Sequence, residues 1–490
     1  MRLERILEGL EILETVGSLE GAQEVAIVQT DSRKHGKNAL FVCLQGANTD
    51  GHFKAQEAIK NGAVAIVTER KLDCTALQIV VPSTRKALGK IAANFYLNPA
   101  NRLKIIGITG TNGKTTTSYL VASILKKAGK ETGIIGTLGI LYKNKKLPSD
   151  LTTPDPLALH ETLADMYAHG VEYVVMEVSA HALYYYKTEG ISFCACIFTN
   201  LTQDHLDFFP SMDEYGEAKA RLFDPSVCAV AIVNGDDEKC RSMVFKREKA
   251  GTKTLFYGLD TPTDCFAVIT EENLKKTECL LNISDKLCRV DLLLTGRHNV
   301  YNALAAAACA VELGIDVSTI EEGLSSLKSV CGRLEMVAEV GSAYVYVDFA
   351  HTPDGLEKSL NALKKHCKGR LVCLFGCGGN RDKSKRPLMG EVVAKKSDFA
   401  VLTSDNPRYE DPLDIIADIE KGYRRFSARY VVVPDRRKAI DYALDFLKKD
   451  DVLLVAGKGG EEYQEIMGIK YAFDDHTVIE TLLMRKGKNI

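Results

Sequence analysis

The sequence predicts an α/β protein of three domains, the last two each built on a mostly parallel sheet. Three observations lead there. A chain of 490 residues is long enough for about three domains at roughly 100–200 residues each. Hydrophobic residues make up 46% of it, enough for several ordinary cores. From Lys104 onward, short apolar runs alternate with segments of helical character, and such alternation implies parallel sheets covered on both faces.

The first block, residues 1–100, ends in the turn-rich "NFYLNPANRLK" around Pro99. It holds two strand-like runs, "ALFVCLQG" and "AVAIVTE". Its opening, "MRLERILEGLEIL", intersperses charge with Leu and Ile at helical spacing, whereas an export signal needs an uninterrupted apolar core. No apolar run reaches the ~18 residues of a membrane-spanning helix, so neither export nor a membrane is expected. The second block, residues 101–331, opens with the buried strand "KIIGIT", a glycine-rich loop and a helix from about Lys114 to Lys127. Further strands are "YVVMEV", "CACIFTN" and "VAIVNGDD". The third block, residues 332–490, begins around "LKSVCGRLE" and alternates most clearly. Its strands are "YVYVDFA", "RLVCLFGCG", "FAVLTSDN", "RYVVVPD" and "DVLLVAGKGG"; segments such as "PLDIIADIEKGY" and "RRKAIDYALDFL" are helical. This is the pattern of a Rossmann-like doubly wound sheet, which binds ligands at the carboxyl ends of its strands. Polar clusters fall at those ends: Asp348 and His351, Asn380 to Arg386, Asp405 to Arg408, and Gly457 to Glu461.

Composition narrows the function. Sixty-three basic against 65 acidic residues leave a net charge of -2, so no nucleic-acid partner is expected. Fourteen cysteines are scattered through the chain, and "FCACIF" and "VCLFGC" are strand-like rather than zinc-binding in spacing. Reduced thiols in a cytoplasmic protein are the expectation.

The stretch "ITGTNGKTTT", Ile108 to Thr117, carries the chemistry of the second block. Backbone N–H groups of Gly110, Thr111, Asn112 and Gly113 can cradle phosphate oxygens, and the following helix adds its positive N-terminus. Lys114 would reach the terminal phosphates, and the Thr115 hydroxyl would sit on magnesium, with Thr116 beside it. The usual pattern wants Gly at position 108, where Ile stands, flanked by Gly107 and Gly110. The second domain is thus a central P-loop ATPase-like parallel sheet. "MEVSAHAL" then places Glu177 at a buried strand's end, and "TNLTQDHLDFF" supplies Asp204, His205 and Asp207. Carboxylate and imidazole at adjacent strand ends suit a divalent cation beside phosphates. Lys219, in "DEYGEAKARLF", is by itself an ordinary solvated helix lysine.

The variant loop G-T-N-G-K-T-T, with these motifs in this order, resembles the Mur ligases, which build the peptide stem of bacterial cell-wall precursors; folylpolyglutamate synthetases carry a similar loop. The resemblance spans nearly the whole chain. It implies that Glu177 and His205 hold magnesium (two ions are expected) and that Lys219 is carbamylated into an anionic ligand. It implies that Asn302, in "LTGRHNVYNALAAAACA", contacts adenine, and that Arg333 and Asp348 lie near the ATP. Ser32, Asn48 and Thr49 match uridine-contacting positions, making residues 1–100 a uridine-nucleotide-binding domain. Thr152, Thr153 and Ser179 would bind the nucleotide-sugar peptide. Tyr185 and Lys187, on the same surface, stand where relatives commonly carry Gln and Arg.

The resemblance further implies the branch of the family that adds the stem's third residue. The substrates would be ATP, UDP-N-acetylmuramoyl-L-alanyl-D-glutamate and an amino acid, joined through an acyl phosphate in peptidoglycan synthesis. "SDNPRYEDP" holds Asp405, Asn406, Pro407 and Arg408. Ligases that add meso-diaminopimelate carry D-N-P-R here, whereas those adding L-lysine usually lack the Arg. A planar guanidinium suits the extra carboxylate of meso-diaminopimelate. Arg386, Gly457 and Glu461 would complete the pocket, with Glu461 facing an ammonium; relatives often carry His where Gly460 stands. The chain is expected to be a monomer. The alternatives are the same ligase adding L-lysine, a P-loop switch ATPase, and an idle binding protein on the same fold; the presence of Lys114, Glu177, His205 and Lys219 speaks against the last.

Overall fold

The computed structural model describes residues 1–18, 24–46, 49–248 and 252–487. The chain forms two compact units. One comprises Met1–Gly107, Lys130–Cys196 and Ala218–Ala229, and the other Ile108–Gly129, Ile197–Glu217 and Val230–Ile490.

In the first unit, a five-stranded sheet runs in the order Glu14–Val16, Leu77–Val80, Ala63–Thr68, Ala39–Val42, Ile27–Gln29. Its strands are parallel except for the antiparallel edge at Glu14–Val16. Helix Thr84–Phe95, capped by the Ser83 hydroxyl, sets Leu88 and Ile91 against Leu40, Val42, Ala65 and Val67. The helical spacing at the N-terminus produces only the short helix Leu3–Ile6; Gly9, at φ 74°, turns the chain away. A second group pairs Thr132–Gly136 with Tyr173–Glu177 in parallel, then adds Gly139–Tyr142 and Lys145–Leu147 as an antiparallel meander.

In the second unit, strand Val230–Asn234 pairs in parallel with Lys253–Gly258. Beyond it, the structure departs from a mostly parallel sheet. Cys265–Glu272, Thr277–Ile283 and Lys286–Leu292 form consecutive antiparallel hairpins. Cys279, Leu281 and Ile283 are buried along one face, while Leu280 is exposed, the period-two pattern of a one-sided sheet. Helix Arg297–Glu312 buries its alanine run against helix Lys114–Lys127. Helix Val317–Ser326 packs there too, so closely that a Cβ on Gly323 would lie 2.6 Å from Ile124 Cα.

The C-terminal sheet runs in the order Glu335–Val340, Ala343–Asp348, Val452–Ala456, Leu371–Phe375, Phe399–Leu402, Tyr430–Val432. All neighbours are parallel except the first pair. Cys373 and Phe375 pack under helices Pro353–Lys364, Lys385–Lys396 and Pro412–Tyr423. Val372 and Leu374 pack under Arg436–Phe446 and Asp475–Arg485 on the other face. Burial on both faces explains the continuous apolar runs of these strands. Their carboxyl ends, at Asp348, Phe375, Leu402 and Ala456, deliver the polar clusters to one edge.

Candidate active site

The glycine loop is pinned from one side by the strand end that follows Phe198. Asn112 N donates to Asn200 Oδ1 at 2.9 Å, and Thr199 Oγ1 donates to Asn112 O at 2.6 Å. Thr111 Oγ1 donates to Thr202 O at 3.1 Å and lies 3.3 Å from the Tyr215 hydroxyl. Gly110 and Gly113, at φ 143° and 87°, leave no room for side chains: a Cβ would lie 1.9 Å from Thr199 Oγ1 at the first and 2.5 Å from Asn302 Oδ1 at the second. Lys114 Nζ donates to the carbonyl oxygens of Gly110 and Thr111 at 2.8 and 2.9 Å. Thr115 and Thr116 are buried at the helix start.

Residues just before the C-terminal sheet and on its first helix reach this loop and the helix after it. Arg333 Nη2 donates to Thr115 Oγ1 at 2.9 Å, and its guanidinium lies 4.2 Å from the centre of the Phe349 ring. Asn112 Nδ2 donates to Asp354 Oδ2 at 2.9 Å; Lys358 Nζ donates to the same oxygen at 2.8 Å. Asn302 accepts from Thr117 Oγ1 at 3.3 Å and donates to Asn299 at 3.1 Å. Asp348 is buried, and burial raises its pKa; its carboxylate accepts from the Ser359 hydroxyl. Asp204 is ringed by His205 Nε2 at 3.4 Å, His351 Nε2 at 3.8 Å and Lys385 Nζ at 3.6 Å. Burial works against its ionisation, yet these groups hold its carboxyl well below the usual range. His205 itself takes φ 56°, a left-handed conformation that a non-glycine residue seldom adopts.

The first unit holds the residues expected around the nucleotide-sugar peptide, with Glu177 and Lys219. Glu177 is 1% exposed, and both of its oxygens accept from Thr137, N and Oγ1 each at 3.0 Å. Thr152 Oγ1 lies 3.2 Å from Thr137 Oγ1. Thr153 Oγ1 donates to Glu177 O at 2.9 Å and accepts from Ser179 N at 3.1 Å. Ser179 caps helix Ala180–Tyr184. Lys187 Nζ pairs with Asp155 at 2.7 Å, and the Tyr185 ring lies 4.3 Å from the Arg85 guanidinium. Ser32 Oγ donates to Glu57 at 2.9 Å; Thr49 is exposed, and Asn48 lies outside the described residues. Lys219 is 1% exposed, contrary to its reading as a solvated helix lysine.

At the far end of the C-terminal sheet edge, Asn406 Nδ2 donates to Glu461 Oε2 at 2.8 Å, and Lys458 Nζ donates to the same oxygen at 3.0 Å. Arg408, at φ 53°, donates from Nε to Glu465 Oε2 at 3.0 Å and from Nη1 to Gly379 O at 2.9 Å. Its Nη2 has no hydrogen bond among the described residues. Arg386, 1% exposed, makes a forked pair with Glu410 at 3.0 and 2.9 Å and also reaches Asp418 at 3.1 Å. Gly457, at φ 114°, faces Asp405, whose Oδ2 is buried without a hydrogen-bond partner among the described residues.

Three family models match consecutive stretches: "Mur ligase family, catalytic domain" over residues 24–96, "Mur ligase middle domain" over 108–310 and "Mur ligase, glutamate ligase domain" over 332–459. A curated relative from Caldanaerobacter subterraneus subsp. tengcongensis is 42% identical over 492 residues, with 100% of each chain covered. The chain belongs to the Mur ligase family. That relative is named UDP-N-acetylmuramoyl-L-alanyl-D-glutamate--2,6-diaminopimelate ligase, as is one from Geobacillus thermodenitrificans, 40% identical with 94% of each chain covered. A solved structure with that name in its description is 30% identical, covers 100% of both chains and aligns with a TM-score of 0.71. Folylpolyglutamate synthase from Mycobacterium tuberculosis, 18% identical with a TM-score of 0.65, covers 76% of this chain and 91% of its own, a likeness of fold.

Like other Mur ligases, this protein is therefore an ATP-dependent amide ligase of three-domain α/β architecture. Several residues that support the expected positions or are buried in the same unit were not singled out from the sequence. Asp354, in the first turn of its helix, accepts from Asn112 of the loop, and Lys358, one turn on, donates to Asp354; Lys358 carries no local motif. Lys458, 0% exposed, lies inside the quoted "GKGG", where a buried cation could have been suspected. Arg436 and Asp475, both 0% exposed, form a pair at 2.7 Å across 39 residues of chain. No local pattern reports such a contact.

Proposed function

We propose that this chain joins meso-diaminopimelate to the D-glutamyl carboxylate of UDP-N-acetylmuramoyl-L-alanyl-D-glutamate at the expense of ATP. The observation that carries the reading is its full-length likeness to curated relatives that bear this activity in their names. Residues 1–100 would bind the uridine nucleotide, 101–331 ATP, and 332–490 the amino acid.

A carboxylate does not acylate an amine in water at useful rates. The carboxylate oxygen of D-glutamate attacks the γ-phosphorus of ATP; the bond to the β–γ bridging oxygen breaks, leaving ADP and an acyl phosphate. The amine then attacks the acyl carbon. The C–N bond forms, the C–O bond to phosphate breaks, and the amine loses its proton. Lys114, now resting on two loop carbonyls, is placed to exchange them for phosphate oxygens. Arg333 leaves Thr115 for the nucleotide. Thr152, Thr153, Ser179, Tyr185 and Lys187 would hold the acceptor peptide.

The donor types fit magnesium, a hard cation that takes oxygen ligands: Glu177 supplies a carboxylate held by two hydrogen bonds from Thr137, Thr115 a hydroxyl and His205 an imidazole. Bound there, the ion would neutralise charge gathering on the phosphoryl oxygens. Lys219 fits the carbamate reading. It is buried, away from bulk water, and a carbamate forms when carbon dioxide adds to a lysine amine. ATP and UDP-linked precursors are cytoplasmic compounds, in keeping with a cytoplasmic enzyme.

Arg408 supports the choice of diaminopimelate. Each edge of its guanidinium has one donor occupied, by Glu465 or Gly379, and Nη2 common to both. An incoming carboxylate takes Nη2 and competes with Glu465 for Nε. The test is to supply ATP, the UDP-linked dipeptide and meso-diaminopimelate, and to weigh the product. A mass gain of diaminopimelate minus water is expected; ATP hydrolysis without a conjugate would overturn the reading.

A further inference from the structure

On the segment that carries Arg333, a thiol, a carboxylate and an imidazole converge. Cys331 Sγ, a Glu335 carboxylate oxygen and a His476 ring nitrogen lie within 4.8 Å of one another. Glu335 Oε2 and His476 Nε2 are 2.8 Å apart, and the other ring nitrogen, Nδ1, faces Asp474 Oδ1 at 3.3 Å. The three donors come from different segments of one unit. Cys331 precedes the C-terminal sheet, Glu335 opens its edge strand, and His476 lies in the first turn of helix Asp475–Arg485. Asp474 caps that helix, accepting from His476 N and Thr477 N.

The donor types discriminate between cations. Magnesium prefers oxygen, whereas thiolate and imidazole with one carboxylate suit zinc. A carboxylate behind the second ring nitrogen orients a ligating imidazole and makes it a better donor. The thiol is also the accessible one: among the fourteen cysteines, Cys331 alone is exposed. Burial pushes others upward, such as Cys43 to about 12 and Cys194 to about 11, so they offer no thiolate.

We propose that Cys331, Glu335 and His476 form a binding site for a soft divalent cation of the zinc class, completed by water. Binding releases the thiol proton and a ring proton to solvent. The site grips the segment that carries Arg333. Gly332 N donates to Glu335 Oε2 at 2.8 Å, and a Cβ on Gly332 would lie 2.1 Å from Gly460 N. One residue on, Arg333 reaches Thr115. A cation joining Cys331 to Glu335 and His476 therefore restrains the segment that must release Arg333 to the nucleotide, and it slows ligation.

The test uses the full chain, stripped with a chelator and kept in excess magnesium. Cobalt(II) serves as the optical probe and zinc as the competitor. One equivalent of cobalt should bind with a thiolate-to-metal charge-transfer band that zinc abolishes. Cys331→Ser should lose the band while ligating normally without zinc, and Asp474→Asn should bind roughly 10–100-fold more weakly. One equivalent of zinc should slow wild-type ligation and spare Cys331→Ser. Absence of the band in wild type, or the same band in Cys331→Ser, overturns the site; equal zinc sensitivity of both proteins overturns the restraint.

Discussion

Arg333 holds the Thr115 hydroxyl at 2.9 Å, so a residue preceding the C-terminal sheet touches the first turn of the helix that follows the phosphate loop. The guanidinium also lies over the Phe349 ring, which fixes its direction. Its place in the nucleotide-bound enzyme is predicted to be on ATP. Arg333→Ala should raise the KM for ATP by roughly 10- to 100-fold, the size of one charged hydrogen bond. The KM for the UDP-linked dipeptide should stay within about twofold. Initial-rate measurements with each substrate varied will separate the two, and an unchanged ATP KM would count against the assignment.

Lys219 is buried, and the proposal gives it a carbamate. Lys219→Ala should lose most activity while remaining folded. Acetate or formate, small carboxylates that can occupy the emptied space, should restore part of it. Rescue that is no better than with chloride at matched ionic strength would argue for a packing role instead.

Glu410 reports on the support behind the amino-acid pocket. The hydrogen bonds from Arg386 lower its pKa from an ordinary 4.5 to about 2. A depressed carboxyl contributes stability that is fully present above its unfolded pKa and is lost as pH falls toward the folded one. The window is therefore pH 4.5 down to about 2. The ceiling is about 3.4 kcal/mol, at 1.36 kcal/mol per pKa unit, and solvent screening of this pair lowers it to roughly 1–2 kcal/mol. Urea midpoints measured from pH 6 to 3 should fall more steeply for wild type than for Glu410→Gln. Parallel curves would show that the pair does not carry this energy.

Much of the fold was legible because the relevant signals are local. The loop from Gly110 to Gly113 and the helix Lys114–Lys127 follow from a strand, glycines and a helical run in order. The C-terminal strands read clearly because both faces are buried, so each is a continuous apolar run. The hairpins from Cys265 to Leu292 were missed because burial largely alternates along them, so no strand is a continuous apolar run and exposed Phe266, Val268, Leu280 and Leu287 blur the two-residue period. The short hairpin Tyr463–Ile466 and Ile469–Ala472 has no fully buried residue. Site residues inside quoted motifs could be named in advance. Their partners could not, since Asp354 on Asn112 and Glu465 on Arg408 depend on contacts 242 and 57 residues apart. Lys219 shows the same limit: its burial belongs to the tertiary fold, and its helix gives no sign of it.

The central claim is that this ligase adds meso-diaminopimelate, selected through Arg408. Lysine lacks the second carboxylate and would leave that guanidinium short of a partner in a closed site. Such a mismatch costs roughly 2–5 kcal/mol, about 30-fold to over 1,000-fold in kcat/KM. The decisive measurement is kcat/KM for meso-diaminopimelate and for L-lysine, side by side, with wild type and Arg408→Ala. The account predicts at least about 30-fold preference for meso-diaminopimelate in wild type, collapsing in the variant through a higher KM for that substrate while the KM for ATP is unchanged. Equal kcat/KM for the two amino acids in wild type would contradict it.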